Sequence, residues 1–374
     1  MPHYQLIQTP DALESAIQAM EKASWLTVDT EFQRESTYRA KLCLVQVGDG
    51  RNNWLFDALE LDLAPLWERL KRSDTIKVMH SADQDNEVFV QLTGACFEPL
   101  FDTQIAATLL GIGDQMGYAG LVKARLGIEI DKSMSRTDWT RRPLSEKALD
   151  YAAADVHHLA RLYPELRKEL TERGRLSWLE EDSARLCQVE RYLSNPAGAW
   201  QRLKGLGRLR TVEQHIAAAL ADWREREAEA KDRPRRWILS DTAILVLSQR
   251  RPSDAAQVAA LKLEGVSERL VGLLADTVLP QAYAAAEGQS EALVSAQKPD
   301  DIYKSRLKKL NNALRETATR LNIPAAVLAP RADVERLMEH GAEADIPLLK
   351  GWRMEQAGQA VLGIRGQFFR AAGE

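Results

Sequence analysis

Cysteine is scarce: Cys43, Cys96 and Cys187 are few, odd in number and far apart in a chain of 374 residues. That excludes a disulfide framework and a Cys-based zinc site, and it fits a reducing cytoplasm. Long apolar runs are missing as well, since none approaches the ~18 residues of a membrane span. The N-terminus, Met-Pro-His-Tyr-Gln, lacks a basic stretch followed by an apolar one, so no secretory signal is visible. An excess of positive charge is also absent. The formal net charge of −4 argues against a protein that coats nucleic acid without specificity. It leaves a nuclease open, because carboxylates that hold metals push the balance negative while basic patches stay local. The expectation is a cytoplasmic monomer with no membrane association and no obligate protein partner, long enough for two or three domains.

What is present is organised around Trp25-Leu26-Thr27-Val28-Asp29-Thr30-Glu31-Phe32. The first four residues read as a buried strand. Asp29 and Glu31 follow at i and i+2, so both carboxylates point to one face with Cα atoms about 6.5–7 Å apart. Two acids on one face of a core strand repel each other and lose solvation unless a cation sits between them. Hard divalent ions take oxygen ligands of this kind. A strand whose end has reached solvent explains a lone Asp-x-Glu better, so the rest of the chain must overturn that reading.

Thr9-Pro10-Asp11 reads as a helix start with Thr9 as N-cap and Pro10 at N1. Leu42–Val47 and Asn53–Phe56 read as strands joined by the turn residues Gly48-Asp49-Gly50, hence a hairpin. Residues 61–70 have helical spacing, and Ile76–Met79 is a further strand. Ser81-Ala82-Asp83-Gln84 has the form of a capping box opening a helix that closes near Gly94. On that helix Val88, Phe89 and Leu92 form the expected apolar stripe. Asp85 shares their inward face, whereas Asp83 lies about 200° away and is expected to serve the helix dipole. Leu100-Phe101 reads as a short strand, and residues 103–110 and 120–126 as helices. The polar loop Asp131–Arg142 carries Arg136, Trp139, Arg141 and Arg142. It is equally a surface for phosphates and bases and an ordinary solvated loop around a packed Trp. A strong helix spans residues 146–170, with Pro164 expected to kink or divide it. On it Tyr151 and Asp155 stand one turn apart across Ala152, Ala153 and Ala154, small residues that allow close packing.

Past residue 172 β signals vanish. A faint repeat runs through the helical remainder: Pro234, Ile238-Leu239 and Leu263-Glu264-Gly265 parallel Pro324, Val327-Leu328 and Leu349-Lys350-Gly351. The polar stretch from 287 to 301 reads as the linker between the two units. Basic residues gather at Arg233, Arg235 and Arg236 beside Trp237, and at Lys304, Arg306, Lys308 and Lys309. Such clusters are either solvated helix faces or nucleic-acid contacts. Because Asp29, Glu31, Asp85 and Asp155 all precede residue 156, removal of everything after about residue 200 is expected to leave chemistry on short strands largely intact but to weaken binding to long or folded RNA.

In order, Val28-Asp29-Thr30-Glu31-Phe32, the segment His80–Phe89 with Asp85, and Tyr151-Ala152-Ala153-Ala154-Asp155-Val156 resemble the DEDD exonuclease superfamily in its tyrosine-bearing branch. Leu42–Val47, Asp138-Trp139 and Arg142-Pro143-Leu144 strengthen the resemblance. The helical tail is similar to paired HRDC modules, more loosely in its last part. The resemblance implies an α/β fold: a ribonuclease H-like mixed-sheet exonuclease domain over residues 1–195, then all-α modules over 205–286 and 300–374. It further implies a 3′–5′ exoribonuclease that trims RNA with a free 3′ end, such as tRNA precursors, and releases nucleoside monophosphates. The implied site is Asp29, Glu31, Asp85 and Asp155 around two divalent ions (Mg²⁺ or Mn²⁺), with Tyr151 orienting the attacking water. A DNA exonuclease of the same superfamily and a non-catalytic nucleic-acid-binding scaffold are the alternatives.

Overall fold

The structure is a computed structural model that describes residues 2–134, 137–294 and 300–370. Arg136 and part of the polar stretch before residue 300 lie outside the described residues. Six strands form one sheet in the order β1-β4-β3-β2-β5-β6. They are β1 (Gln5–Ile7), β2 (Trp25–Gln33), β3 (Lys41–Gly48), β4 (Asn53–Asp57), β5 (Ile76–Met79) and β6 (Leu100–Asp102). The hairpin between β3 and β4 is antiparallel, while β1–β4, β2–β5 and β5–β6 pair in parallel. The sheet is therefore mixed. Strand β2 lies inside it, between β3 and β5. Leu26, Thr27 and Val28 are wholly buried, so the acids that follow emerge from a strand fixed on both edges.

The helices of this part are α1 (Pro10–Met20), α2 (Ala64–Leu70), α3 (Asp83–Thr93), α4 (Thr103–Leu109), α5 (Tyr118–Leu126), α6 (Glu146–Glu172) and α7 (Leu176–Leu186). Thr9 caps α1, accepting from the Ala12 N–H, with Pro10 in the first turn. Helix α6 lays Ala148, Ala152 and Ala153 against Cys43, Leu44 and Leu55 of the hairpin. The alanine face brings it close enough for the Thr27 hydroxyl to lie 3.1 Å from the Val156 carbonyl and 3.2 Å from that of Gly48.

Four local expectations are corrected. Pro164 lies inside α6, which continues unbroken to Glu172. Leu92 is 52% exposed and leaves the apolar stripe of α3 to Val88, Phe89 and Val90. Helix α2 starts at Ala64, after Leu63 as N-cap, so residues 61–63 stay outside it. No capping box forms at α3. Ser81 takes a left-handed φ of 57°, and its N–H and that of Ala82 donate to the Asp102 carboxylate at 3.2 and 2.9 Å. The same carboxylate caps α4 through the N–H groups of Gln104 and Ile105. A carboxylate from another strand thus replaces the local side chain.

The chain divides into two compact units. The first holds Met1–Phe32, Leu42–Tyr192 and Pro299–Glu374; the second holds Gln33–Lys41 and Leu193–Lys298. In the first unit Leu162, Leu166 and Leu170 of α6 and Leu179 of α7 share one core with Leu310, Leu314, Leu337, Leu348 and Trp352. Trp178 and Trp352 stack with centroids 4.4 Å apart, 6° from parallel. Arg353 makes a buried double contact with Asp182, Nη2 to Oδ2 at 2.9 Å. The C-terminal helices are therefore part of the core of the unit that holds the sheet, and removal of everything after residue 200 would uncover that core.

The second unit is helical around α8 (Thr211–Ala230). The strap Gln33–Lys41 belongs to it: Tyr38 donates its hydroxyl to Glu225 at 2.6 Å, and Arg39 pairs with Glu229 at 2.9 Å. The sequence repeat has a structural counterpart. In each copy a long helix (α8, and Asp301–Leu321) precedes a four-residue helix capped by Pro234 or Pro324, then a ten-residue helix. Each copy ends in a π-helical turn, Leu274–Val278 or Met354–Gly358, that runs into the last helix.

Candidate active site

Strand alternation does what the sequence demands. Asp29 and Glu31 project from one face of β2, and Asp155 of α6 meets them, with ligand oxygens of the three residues all within 4.8 Å of one another. Asp155 is buried and the other two are half-buried. Asp85, buried on α3, stands outside this trio and accepts a hydrogen bond from the Thr30 hydroxyl at 2.5 Å. Asp83 faces away; it is exposed and paired with Arg191 at 2.8 Å. The helix phase read from the sequence therefore separates the two acids correctly.

Burial and mutual repulsion dominate the electrostatics. Burial, then Asp85, Asp155 and Glu31, push the Asp29 carboxyl well above the ordinary carboxylate range. Burial, then Asp155 and Asp85, raise Glu31 to about 9. Burial raises Asp155 to about 7 and Asp85 to about 6, the latter held down by the Thr30 hydrogen bond. Among the described residues no lysine or arginine pairs with any of the four, and the Asp155 Oδ1 is buried with no hydrogen-bond partner. An all-oxygen donor set carrying several negative charges and an orphaned buried oxygen fits a hard divalent cation. The residues present fit a divalent metal ion.

Tyr151 is half-buried one turn before Asp155, its ring 6.4 Å from that of Trp139. Burial first, then Asp155, Glu31 and Asp29, raise its hydroxyl, so it keeps its proton. Within the described part of the Trp/Arg loop, Trp139 and Arg142 serve the packing. Trp139 is buried, and Arg142 forms a fork with Asp57, Nε to Oδ2 at 2.6 Å, while also donating to the Cys43 and Trp139 carbonyls. Arg141 is exposed and paired with Asp138 at 3.2 Å.

Sequence reasoning missed two supporting groups. Thr30, between the two acids, anchors Asp85; a Thr in a strand is too ordinary to signal this. Tyr118 of α5 donates its hydroxyl to the backbone carbonyl of Asp155. A bond to backbone leaves no motif in the sequence.

This fold and acid cluster define a 3′–5′ exonuclease. A family model described as "3'-5' exonuclease" matches residues 4–171, and an HRDC domain model matches residues 213–280. The chain is similar to ribonuclease D of Granulibacter bethesdensis, 37% identical with 97% of this chain and 93% of that protein covered. Ribonuclease D of Acidiphilium cryptum is also 37% identical, over 98% and 94% of the two chains. The crystal structure of Escherichia coli RNase D, described as an exoribonuclease involved in structured RNA processing, superposes with a TM-score of 0.86 at 30% identity, covering 98% of this chain and 99% of that one. The chain belongs to the ribonuclease D family and is a 3′–5′ exoribonuclease.

Proposed function

We propose that the protein trims the 3′ ends of structured RNA such as tRNA precursors, releasing nucleoside monophosphates by hydrolysis assisted by two divalent ions. The observation that carries this reading is the trio Asp29, Glu31 and Asp155, whose oxygens converge within 4.8 Å. Asp29, Glu31, Asp155 and Asp85 would hold the ions, with Asp29 at the centre of the repulsive cluster. Bound Mg²⁺ or Mn²⁺ would supply a more acidic water and offset charge on the phosphate and the departing 3′-oxygen. The chain's own residues do the rest. Tyr151, protonated at neutral pH, donates its Oη–H toward the attacking water and fixes its direction; a group so hard to ionise is no general base. Thr30 holds Asp85, and Tyr118 holds the turn of α6 that presents Asp155. Each keeps a carboxylate aimed against its neighbours' repulsion. The sequence division at 1–195, 205–286 and 300–374, a monomeric state and a cytoplasmic setting belong to the same proposal.

The test uses matched RNA and DNA oligomers labelled at either end, with Mg²⁺, with Mn²⁺ or with EDTA. Stepwise loss of mononucleotides from a free 3′ end of RNA, dependent on the ion, is expected. Internal cuts in circular RNA would refute the exonuclease direction. Full activity in EDTA would refute the metal, and equal rates on DNA would refute RNA preference.

A further inference from the structure

Strand β3 reads Leu42-Cys43-Leu44-Val45-Gln46-Val47, apolar at every one of these positions except Gln46. Gln46 is wholly buried, and both its Oε1 and its Nε2 lack a hydrogen-bond partner among the described residues. An amide left unpaired at both ends gives up its hydration with nothing gained inside the fold. A methionine or leucine would fill the same space without that loss. Buried polar groups are paired as a rule, so this one is kept for a partner it meets in another state of the site.

The register of the sheet says where that partner lies. Strands β2 and β3 are neighbours, and the link from Gln33 to Lys41 is too short for a parallel crossover, so they run antiparallel. A Cβ on Gly48 would lie 2.5 Å from the Thr27 Oγ1 and 3.5 Å from the Val156 Cβ. Thr27 and Gly48 therefore stand side by side on the face that α6 covers. Two residues further along each strand, in opposite directions, Asp29 and Gln46 stand opposed on that same face. Opposed residues have Cβ atoms about 4.5–5.5 Å apart, within reach of a Gln side chain. The other cross-strand neighbour of Gln46 is Leu55, which shares a core with Ala152 and Ala153 of α6. Of the two neighbours, only Asp29 can take a hydrogen bond through its side chain.

We propose that Gln46 is a positioning residue for Asp29, its amide N–H donating toward that carboxylate, directly or through one bridging water, when a divalent ion is bound. The proposal rests on the reading of Asp29 as a metal ligand. An amide suits the place because it donates without carrying charge. It steadies the carboxylate against the neighbouring acids and leaves the cation unopposed. A lysine at the same position would hold Asp29 as firmly and repel the ion.

The full chain is titrated with Mn²⁺ alone, the free ion being read by electron paramagnetic resonance, and its melting temperature is taken in EDTA. Gln46→Met and Gln46→Leu remove the amide at nearly constant volume. Both are expected to melt in EDTA at or above the wild-type temperature, since two unpaired polar atoms leave the core. Both are expected to bind Mn²⁺ about 10–100-fold more weakly, the usual effect of losing a group that orients a metal ligand. RNA affinity in EDTA is expected to stay near wild type. A melting temperature lowered by several degrees in both variants overturns the proposal, because it places the partner of the amide inside the resting fold. Mn²⁺ affinity within twofold of wild type overturns it as well. Asp29→Asn, titrated alongside, tells the two readings apart. If it binds Mn²⁺ as tightly as wild type, the metal reading fails and takes the proposal with it. If it loses the ion while Gln46→Met keeps it, the proposal alone fails.

Discussion

Tyr151 and phenylalanine differ by one hydroxyl, and at this site burial and then three nearby carboxylates keep that hydroxyl protonated. Tyr151→Phe leaves the ring beside Trp139 and every proposed ligand in place. If the hydroxyl directs the attacking water, the single-turnover rate falls by about 10²–10⁴ while RNA affinity and metal affinity stay near wild type. A hydroxyl that only packs would contribute about 0.5–1.5 kcal/mol to stability and nothing to the rate, so a rate within a few fold of wild type sinks the role. The two acids of α3 give a second contrast. Asp85 is buried against Thr30 and Asp83 is exposed on Arg191. Asp85→Asn is expected to abolish most turnover and Asp83→Asn to leave it near wild type; the opposite order in a steady-state assay would reassign the site.

Three elements, β2, α3 and α6, bring four acids together, and this convergence makes the metal-free protein sensitive to pH. In the unfolded chain these carboxyls titrate near 4, whereas in the fold all four are raised by burial. The folded state therefore binds more protons. The stability this gives is complete below about pH 4 and is lost as pH rises through the folded values of about 6, 7 and 9. Half-buried His158, lowered to about 4, and buried Lys77, lowered to about 8, act in the opposite sense on either side. The clean window is thus pH 6.5–8. In EDTA the melting temperature is expected to fall across it, and less steeply in Asp29→Asn, which removes one repelling charge. Mg²⁺ should raise it more at pH 8 than at pH 6.5, since protons compete for the same oxygens. A flat wild-type profile in EDTA would refute the cluster's electrostatics.

Most elements were legible because their signals are local. The Asp-x-Glu strand and the inward phase of Asp85 follow from periods of 2 and 3.6, and the hairpin turn from its glycines and Asp49. What was not legible depends on partners distant in sequence. Strand β1 has three residues, too few for a period. The start of α3 is satisfied by Asp102, some twenty residues on, where a capping box offered itself locally. Arg142 stands in a loop that resembles a phosphate surface, yet Asp57 occupies its fork. Asp102→Ala tests the α3 contact: four N–H groups at the starts of α3 and α4 lose their acceptor. Helix caps are worth about 0.5–2 kcal/mol each, so a loss of roughly 2 kcal/mol is expected in denaturant unfolding. A loss below about 0.5 kcal/mol would mean that water serves those groups as well.

At the scale of the molecule the C-terminal helices carry stability for the unit that holds the acids. Arg353 and Asp182 are both nearly buried, and Arg353 also donates to the Val327 carbonyl at 2.6 Å. Beside them the Trp352 N–H donates to Glu181 at 3.0 Å. Gly351, at a φ of +47°, leaves room for that carboxylate: a Cβ there would lie 1.8 Å from the Glu181 Oε2. Removing one member of a buried ion pair strands the other charge, at a cost of about 3–5 kcal/mol. Arg353→Ala is therefore expected to lower the melting temperature of the unit that holds the active site, although Arg353 belongs to none of the catalytic elements. Replacing both partners, Arg353→Met with Asp182→Leu, removes the stranded charge and should recover most of the loss. Truncation after residue 298 goes further, since it uncovers Leu162, Leu166, Leu170 and Leu179 together. The truncated chain is expected to hydrolyse a trinucleotide only at temperatures well below those the full chain tolerates. Equal melting temperatures for the full chain and the truncated one would show that the sheet domain stands without those helices.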